Sequence, residues 1–590
     1  MWVLDGNAIL FANERYGMRN HASWGSEEDA FLVFMNQEAY DKFCLSEEDY
    51  KTLKDVEAAN KKDADDKKKG GKGKGKKASA KAGDDENADD KKPGDNADDK
   101  KSEKPKDIIV ELDGIQDRIV RITPNSSHLA GGILSKDGET LYFIAQSIGE
   151  GSELWQVKLR KDESKLLQTM KSPSGNLQMD RDGNIYLLGS EMRKMNGKTQ
   201  KIEPIAYSAT QKLNRYDERA FLLEYVRHEV GERFYNKNMH GVKWDALIDH
   251  YSQFLPHISN NYDFQELLSE ILGELNVSHT GGRYTRPASA DDDSTARLGL
   301  LYDMTYDGDG MKVTEVLRDG PFDRKSSKVR PGAVITEING KKLTRDMDIS
   351  QLLNGLARKK TLVTFSDGTS EMIIPISASK QSDLLYKRWV RRCEHIVDSV
   401  SGGRLGYVHL QSMGDPSFRT AYSAMLGKYN LRDGCVIDTR WNGGGRLHED
   451  IEILTSGKKY LTQVIRGTEA CDMPSRRYNK PTIMLQCEAN YSNAHGTPWV
   501  YRHMGIGHLV GAPVPGTMTS VNWVTTQDPS LVFGIPVIGY LQEDGKTYLE
   551  NTQLDPDFLI LNAPEDIAVG TDAQLIFATK QLLKEIDGKK

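Results

Sequence analysis

The first third of the chain alternates hydrophobic and polar residues with the two-residue period of β-strands. Residues 2–4 and 8–12 form a predicted hairpin around Asp5 and Gly6, and residues 31–35 form a further strand. The same pattern returns at 108–112, 141–145, 154–157 and 185–188. The region is therefore predicted to consist of short strands joined by tight turns.

Asp-Gly turns separate these strands at a regular interval. Residues 135–143 read SKDGETLYF, and the pattern recurs loosely as DRDGNIYLL at 180–188. Short strands with such turns are typical of β-propeller blades. We predict a partial blade at 1–60 and further blades at 107–211. Because these strands are too few to close a propeller, we expect a partner, or an upstream part of a longer chain, to complete it.

Residues 61–106 interrupt the strand pattern. They consist largely of Lys, Asp, Gly and Ala, so they cannot bury a hydrophobic core. We expect a disordered, charged linker here. Since acidic and basic residues are mixed, the segment does not indicate a nucleic-acid-binding arm.

From about residue 212 the hydrophobic period becomes that of helices. One apolar face runs through 244–255 and another through 264–275. The second helix is expected to begin near Asp263, a good capping residue, and to end near Asn276. These elements define a predicted helical domain at 212–292.

The remaining sequence divides into a β-rich module and an α/β region. Within 293–378, the segment PGAVITEING at 331–340 closely resembles the PDZ domain, which implies a site for peptide strand addition. From 379 to 590, helices alternate with strands in the order expected of an α/β layer fold. The helices are predicted at 384–400, 417–427 and 571–586, and the strands at 406–410, 435–438 and 482–485.

Composition and charge exclude several classes of protein. A net charge of −7 over 590 residues gives no electrostatic case for nucleic-acid binding. No apolar run approaches the roughly 18 residues of a membrane span, and residues 1–6 lack the features of a signal peptide. The five cysteines show no CxxC spacing, so neither a disulfide framework nor structural zinc is expected. We expect a cytoplasmic protein, or a periplasmic one if a signal peptide lies upstream of Met1.

Two segments of the α/β region carry the candidate chemistry. Residues 438–445 read DTRWNGGG directly after a predicted buried strand, and residues 490–496 read NYSNAHG after the next one. Glycine turns expose backbone N–H groups, and an isolated serine at a strand end can attack a carbonyl carbon. The pair is a plausible acyl-transfer site.

An ordered set of segments resembles the tricorn proteases, within the S41-type, tail-specific serine peptidases. Besides the three motifs above, the set includes LNVSHT at 275–280, GAPVPGT at 511–517 and LENTQLDPD at 549–557. The resemblance covers nearly the whole chain apart from the linker. It implies a multidomain α+β protein with partial β-propeller blades, a helical domain, a PDZ-like domain and an α/β (ClpP/crotonase-like) catalytic core.

The resemblance also implies a mechanism, in which a Ser-His-Ser-Glu tetrad cleaves oligopeptides through an acyl-enzyme. By motif position, Ser492 is the nucleophile and His279 the general base, while Ser278 and Glu550 orient the imidazole. A serine hydroxyl needs such a base, and the base needs an acceptor that fixes its tautomer. We expect activity to fall below about pH 6, because a free imidazole has a pKa of about 6.5.

The backbone N–H groups of Gly444 and Asn493 are the implied oxyanion donors. Family members often carry aspartate where this chain has Asn493. The resemblance implies no metal and no cofactor. Peptides are the implied substrates, and a homo-hexamer is the implied assembly; neither nucleic acid nor a membrane is an expected partner.

Three alternatives stay open at this stage. His495 is nearer to Ser492 in sequence than His279 is, although three residues along a helix start it should point away from the hydroxyl. A Ser-Lys C-terminal processing protease would carry a lysine in the turn at 515–518, which reads PGTM. A non-catalytic scaffold that binds peptides through its PDZ and propeller parts would not need the serine at all.

Overall fold

The computed structural model describes residues 1–17, 26–70, 107–146, 151–161, 163–170, 176–189, 191–289 and 292–588, with residues 61–70 described by their backbone alone. The chain forms two compact units, Met1–Lys212 and Leu213–Lys590. Helices and strands occur in both units, so the predicted multidomain α+β class is confirmed. No helix within the described ranges combines the length and the apolar sequence that crossing a bilayer requires.

Within its described residues, the first unit contains three antiparallel sheets, each made of four strands in chain order. The first comprises β1 (Trp2–Val3), β2 (Ala8–Asn13), β3 (Asp29–Phe34) and β4 (Ile119–Arg121). The second comprises β5 (Leu129–Leu134), β6 (Thr140–Gln146), β7 (Ser152–Lys158) and β8 (Glu163–Met170). The third comprises β9 (Asn176–Met179), β10 (Ile185–Leu188), β11 (Arg193–Met195) and β12 (Ile202–Pro204).

The middle sheet is buried on both faces, because alternate residues of a strand point in opposite directions. On β6, Leu141 and Phe143 pack in one core with Leu32 of β3. The intervening Ile144 packs in a second core with Ile185 of β10. The strand alternation read from the sequence thus places the three sheets in layers.

In the described part of the chain between β3 and β4 lie two α-helices. They are α1 (Gln37–Cys44), which is capped by the Asn36 side chain, and α2 (Glu47–Gly70). The linker predicted at 61–106 therefore begins with helical residues, since α2 extends through residue 70. Its Lys- and Ala-containing sequence can propagate a helix that has already begun. Residues 71–106 lie outside the described part of the chain.

The second unit begins with three helices and a three-stranded sheet that share one core. The helices are α3 (Arg215–Arg233), α4 (Trp244–Ser252) and α5 (Asn261–Gly273), and the sheet comprises β13 (Gly281–Tyr284), β26 (Thr519–Thr525) and β27 (Leu531–Gly539). The side chain of Asn260, and not Asp263 as predicted, caps α5, because its Oδ1 accepts the N–H of Asp263 at 3.0 Å. Helix α5 ends at Gly273, three residues before the predicted end at Asn276.

The module between these elements is a small antiparallel sheet with its own hydrophobic core. Its strands follow the order β14, β15, β16, β18 and β19, with the short β17 paired to β16. Their bounds, with that of the single helix, are β14 (Leu300–Tyr302), β15 (Met311–Val316), β16 (Val334–Ile338), β17 (Lys341–Lys342), α6 (Ser350–Leu353), β18 (Thr361–Phe365) and β19 (Ser370–Ile373).

A five-stranded parallel sheet forms the centre of the C-terminal region, in the order β20-β21-β24-β25-β28. Its strands are β20 (Leu405–His409), β21 (Gly434–Asp438), β24 (Thr482–Gln486), β25 (Leu509–Gly511) and β28 (Phe558–Leu559), and a hairpin of β22 (Leu461–Ile465) and β23 (Thr468–Met473) stands apart. The helices are α7 (Ala378–Ser401), α8 (Asp415–Ser423), α9 (His448–Thr455), α10 (Asn493–His503), α11 (Pro564–Val569) and α12 (Ala573–Asp587).

A buried ion-pair network closes the C-terminal end of β21. The guanidinium of Arg440 donates to Asp438 at 2.7 Å and to Asp572 at 2.9 Å, and Asp438 has no exposed surface. Burial alone would raise the pKa of Asp438, but the charge and hydrogen bonds of Arg440 outweigh it and lower that pKa below its usual value. The network fixes the chain just before the glycine run.

Removing Arg440 would leave two buried carboxylates without their cation. We expect Arg440→Ala to lower the free energy of unfolding by about 3–5 kcal/mol, measured by urea denaturation. The control is Arg419→Ala, which breaks an exposed pair with Asp415 and should cost less than about 1 kcal/mol. Equal losses in the two variants would contradict this role of the network.

Candidate active site

The glycine run follows β21 directly and lies against the predicted nucleophile. A methyl group at Gly444 would come within 2.5 Å of Ser492 Cβ and 2.7 Å of the Tyr491 carbonyl oxygen. The φ of Gly444 is +98°, which disfavours any residue with a side chain. Only glycine at this position allows the two segments to approach so closely.

Ser492 occupies a strained turn between β24 and α10. Its φ of 59° and ψ of −127° lie outside the regions favoured by residues with a side chain, and α10 begins at the next residue. Such a sharp strand-to-helix turn presents a serine hydroxyl to a substrate at the end of a sheet. The local geometry therefore suits a nucleophile.

Hydrogen bonds hold this turn in place on two sides. The N–H of Tyr491 donates to the carbonyl of Asn442 at 3.0 Å, which joins it to the glycine run. The N–H of Ser492 donates to Thr517 Oγ1 at 3.0 Å. Thr517 thus lies beside Ser492 in the turn where a Ser-Lys enzyme would carry its lysine.

His279 lies against the residue that precedes Ser492. It follows α5 and precedes β13, in a left-handed conformation with φ of 63°. Its N–H donates to the Tyr491 hydroxyl at 2.7 Å, and the two ring centroids are 4.7 Å apart. The pairing of β13 with β27 therefore delivers the imidazole to the neighbourhood of a serine that lies 213 positions further along the chain (492 − 279).

Glu550, Ser278 and His279 form one continuous chain of hydrogen bonds. The Ser278 N–H donates to Glu550 Oε1 at 2.6 Å, and its hydroxyl donates to Oε2 at 2.9 Å. Ser278 Oγ also lies 2.7 Å from His279 Nδ1. Because the hydroxyl gives its single proton to the carboxylate, it must accept the proton on Nδ1. His279 Nε2 then keeps a lone pair and can act as a base.

Thr519 is a member of this cluster that sequence reasoning missed. Its hydroxyl lies 3.0 Å from His279 Nδ1 and 3.1 Å from Ser278 Oγ, and only 2% of the residue is exposed. It stands at the start of β26, two residues after the end of the GAPVPGT motif. That motif was the available signal, but the position of β26 beside β13 could not be read from it.

Two of the expected contacts are not formed in the structure. Among the described residues, no hydrogen bond joins the His279 ring to Ser492 Oγ. The N–H of Gly444 donates to Asn442 Oδ1 at 2.8 Å, so this expected oxyanion donor already has an acceptor. The N–H of Asn493 lies in the first turn of α10, where an N–H has no partner within the helix.

His495, the alternative base, is fully buried in α10. Among the residues that the structure describes, neither of its ring nitrogens has a hydrogen-bond partner, and burial lowers its pKa to about 4. The His495 ring therefore makes no hydrogen bond to the Ser492 hydroxyl. Across the described residues, no group of three or more His, Cys, Asp and Glu side chains could hold a metal ion.

Two models of known protein families match parts of this chain. The model for Peptidase family S41 matches residues 404–560, and that for the Tricorn protease C1 domain matches residues 215–273. These matches confirm the predicted resemblance to the tricorn group of the S41 serine peptidases.

The individual relatives of this chain are distant in sequence. "Tricorn protease homolog 1" of Streptomyces coelicolor is 26% identical over 357 residues, which cover 58% of this chain and 33% of that protein. "Tricorn protease" of Thermoplasma acidophilum is 24% identical over 377 residues, which cover 62% of this chain and 33% of that protein. The chain thus matches about a third of the length of these curated relatives.

The fold of the tricorn protease is shared as well. Its crystal structure superposes with a TM-score of 0.73 at 15% identity, covering 100% of this chain and 54% of that chain. At this identity the likeness concerns the fold alone. The predicted family is therefore confirmed, whereas the roles of individual site residues stay predictions.

The pKa of the predicted base, His279, lies well below that of a free imidazole. Burial, together with the positive charge of Arg283, lowers the pKa of His279 to about 4. Burial also raises the pKa of Glu550. His279 is therefore neutral well below pH 6, and the loss of activity expected at about pH 6 should move towards pH 4–5. Since the unfolded imidazole binds a proton at higher pH, acidification from about 6.5 to 4 also costs folding stability.

The Arg283 contribution can be tested by titrating the histidine rings with NMR. Arg283 stacks on Trp523, with the guanidinium 3.5 Å from the ring centroid. We expect a His279 midpoint near 4 in the unmodified protein, and a higher midpoint in Arg283→Gln because the repelling charge is gone. Arg283→Lys keeps the charge and should keep the midpoint low. A wild-type midpoint near 6.5 would contradict the burial of the ring.

Proposed function

We propose that this protein is a serine endopeptidase that hydrolyses oligopeptides through Ser492, His279, Ser278 and Glu550. The observation that carries the proposal is the hydrogen-bonded chain from Glu550 through Ser278 to His279, which lies beside the strained turn of Ser492. The match of residues 404–560 to the S41 peptidase family supports the same reaction class. Peptides are the substrates that this family relationship suggests.

In the proposed reaction, Ser492 Oγ attacks the carbonyl carbon of a peptide bond and its proton moves to His279 Nε2. The imidazolium then protonates the leaving amine, the C–N bond breaks, and an acyl-enzyme remains. Water attacks this ester with the same histidine as base and restores the serine. Ser278 and Glu550 hold the Nδ1–H of His279 in place, so the lone pair on Nε2 is available to accept the proton of Ser492 Oγ.

The Nε2–Oγ contact and one oxyanion contact would form only with substrate bound. Catalytic hydrogen bonds are often long in unoccupied enzymes and tighten in the complex. Asn493 N–H is the first proposed oxyanion donor, in the positive field of the α10 N-terminus. Gly444 N–H is the second, provided that it exchanges Asn442 Oδ1 for the oxyanion.

The domain roles predicted from the sequence belong to the same proposal. We assign residues 1–60 and 107–211 to propeller blades, in keeping with their four-stranded antiparallel sheets, and 61–106 to a linker. Residues 212–292 supply the histidine, 293–378 a PDZ-like peptide site, and 379–590 the peptidase core. Assembly into a hexamer and a cytoplasmic location remain expectations from the family resemblance.

Loss of either reacting group should abolish activity. We expect Ser492→Ala and His279→Ala each to lower kcat by about 10⁴-fold or more, and the double variant to be no worse, because the groups act as a unit. A fluorophosphonate probe should label the unmodified protein and not Ser492→Ala. Ser456→Ala and His250→Ala, outside the site, serve as controls. If the probe labels neither protein, the non-catalytic scaffold is the better description.

Two neighbouring glycines offer a matched pair of substitutions. Gly444→Ala should abolish labelling, because its methyl group would collide with Ser492 Cβ at 2.5 Å. Gly443→Ala should retain most of it, since no atom lies within 4 Å of a methyl group there. Labelling rates measured on both variants, with circular dichroism to check folding, decide the point. Similar rates in the two variants would refute the proposed contact.

A further inference from the structure

The backbone N–H of Asn493 is a proposed oxyanion donor, but the side chain of Asn493 also makes structural contacts of its own. Its Oδ1 accepts the N–H of Leu447 at 2.8 Å and the N–H of His448 at 3.1 Å. These two residues follow the glycine run and begin α9. With 4% exposure, the Asn493 amide is a buried link between the start of α10 and the end of the run.

These contacts determine how the amide is oriented. Because Oδ1 faces two N–H donors, the NH₂ group must face the other way, where His448 Nδ1 lies 2.7 Å from Nδ2. An amide NH₂ can only donate, so Nδ1 must carry a lone pair and the ring proton must be on Nε2. In a protonated ring, the Nδ1–H of His448 would point at the N–H of the Asn493 amide, and two donors cannot form a hydrogen bond.

The surroundings of His448 favour the neutral ring. Burial lowers the pKa of His448, and Arg446 acts in the same direction, while Glu449 and Asp450 oppose them. The Asn493 side chain completes the set of groups that face the ring. The neutral ring is also the form that the hydrogen bond from the Asn493 amide requires, whatever the pKa of His448.

We propose that His448 is a positioning residue, whose Nδ1 lone pair holds the Asn493 amide and thereby fixes the glycine run against Ser492. The inference rests on the proposed peptidase function. The middle of the run is held by Met413, whose N–H donates to the Gly444 carbonyl at 2.9 Å. With the run held at its middle and just beyond its end, the oxyanion donors keep the precise placement that transition-state stabilisation requires.

The role predicts how substitutions at His448 differ. His448→Phe keeps a ring but leaves the buried amide N–H without an acceptor, so labelling by fluorophosphonate and kcat should fall by about 10–100-fold with little change in KM. His448→Asn offers an oxygen near the position of Nδ1 and should recover most of the loss. Glu452→Gln, on the same helix but away from the amide, is the control for removing a polar group.

An NMR measurement tests the contact without relying on activity. Ring ¹⁵N shifts should show His448 protonated on Nε2 and bare on Nδ1 at pH 7. In Asn493→Asp, the carboxylate still accepts both backbone N–H groups but faces the ring with an oxygen, so Nδ1 should become protonated and the pKa of His448 should rise.

Each outcome bears on a separate claim. A wild-type ring protonated on Nδ1 would refute the contact, and His448→Asn no better than His448→Phe would refute the positioning role. A protein that shows the expected tautomer but is never labelled at Ser492 would overturn the peptidase function, and with it the catalytic consequence of the contact.

Discussion

The pairing of β13 with β27 is the constraint on which the candidate site depends. It joins residues 281–284 to residues 531–534 and brings the segment before β13 to the end of the central sheet. Gly534 makes this possible, because a methyl group there would lie 2.5 Å from the His279 carbonyl and 2.9 Å from the Trp523 ring. Glu550 then binds Ser278 from the other side. The imidazole of His279 is thus positioned by strand pairing and by a carboxylate. Helix α5, which precedes it in the chain, ends before it and does not carry it.

The second half of the site depends on a buried charge cluster. Arg440 and its carboxylate partners hold the end of β21, from which the glycine run departs. Such clusters contribute little net stability compared with hydrophobic packing, but they tolerate few alternative geometries. Because the end of β21 is held rigidly, the glycine run that follows it can approach Ser492 closely. The fixed surroundings hold Ser492 and His279 in their strained backbone conformations with positive φ.

The segments of the candidate site could be located from the sequence, because its proposed reacting groups lie in short motifs. The segments around His279, Gly444, Ser492 and Glu550 were each recognisable without coordinates. Thr519 and His448 were not, because their roles arise from contacts between segments far apart in the chain. The cap of α5 was misplaced by three residues, since Asn260 and Asp263 are both good capping types and only the backbone geometry distinguishes them. The helical start of the linker was missed because its composition is that of a solvated chain.

The long separation of the paired segments has a consequence for synthesis. Ser278 and His279 leave the ribosome early, but Glu550 follows 272 residues after Ser278. Because domains fold as their parts emerge, the helical core must wait for β27 before it is complete. The hydrogen-bonded cluster around His279 therefore cannot be complete until residue 550 has been synthesised, so a growing chain lacks the full candidate site.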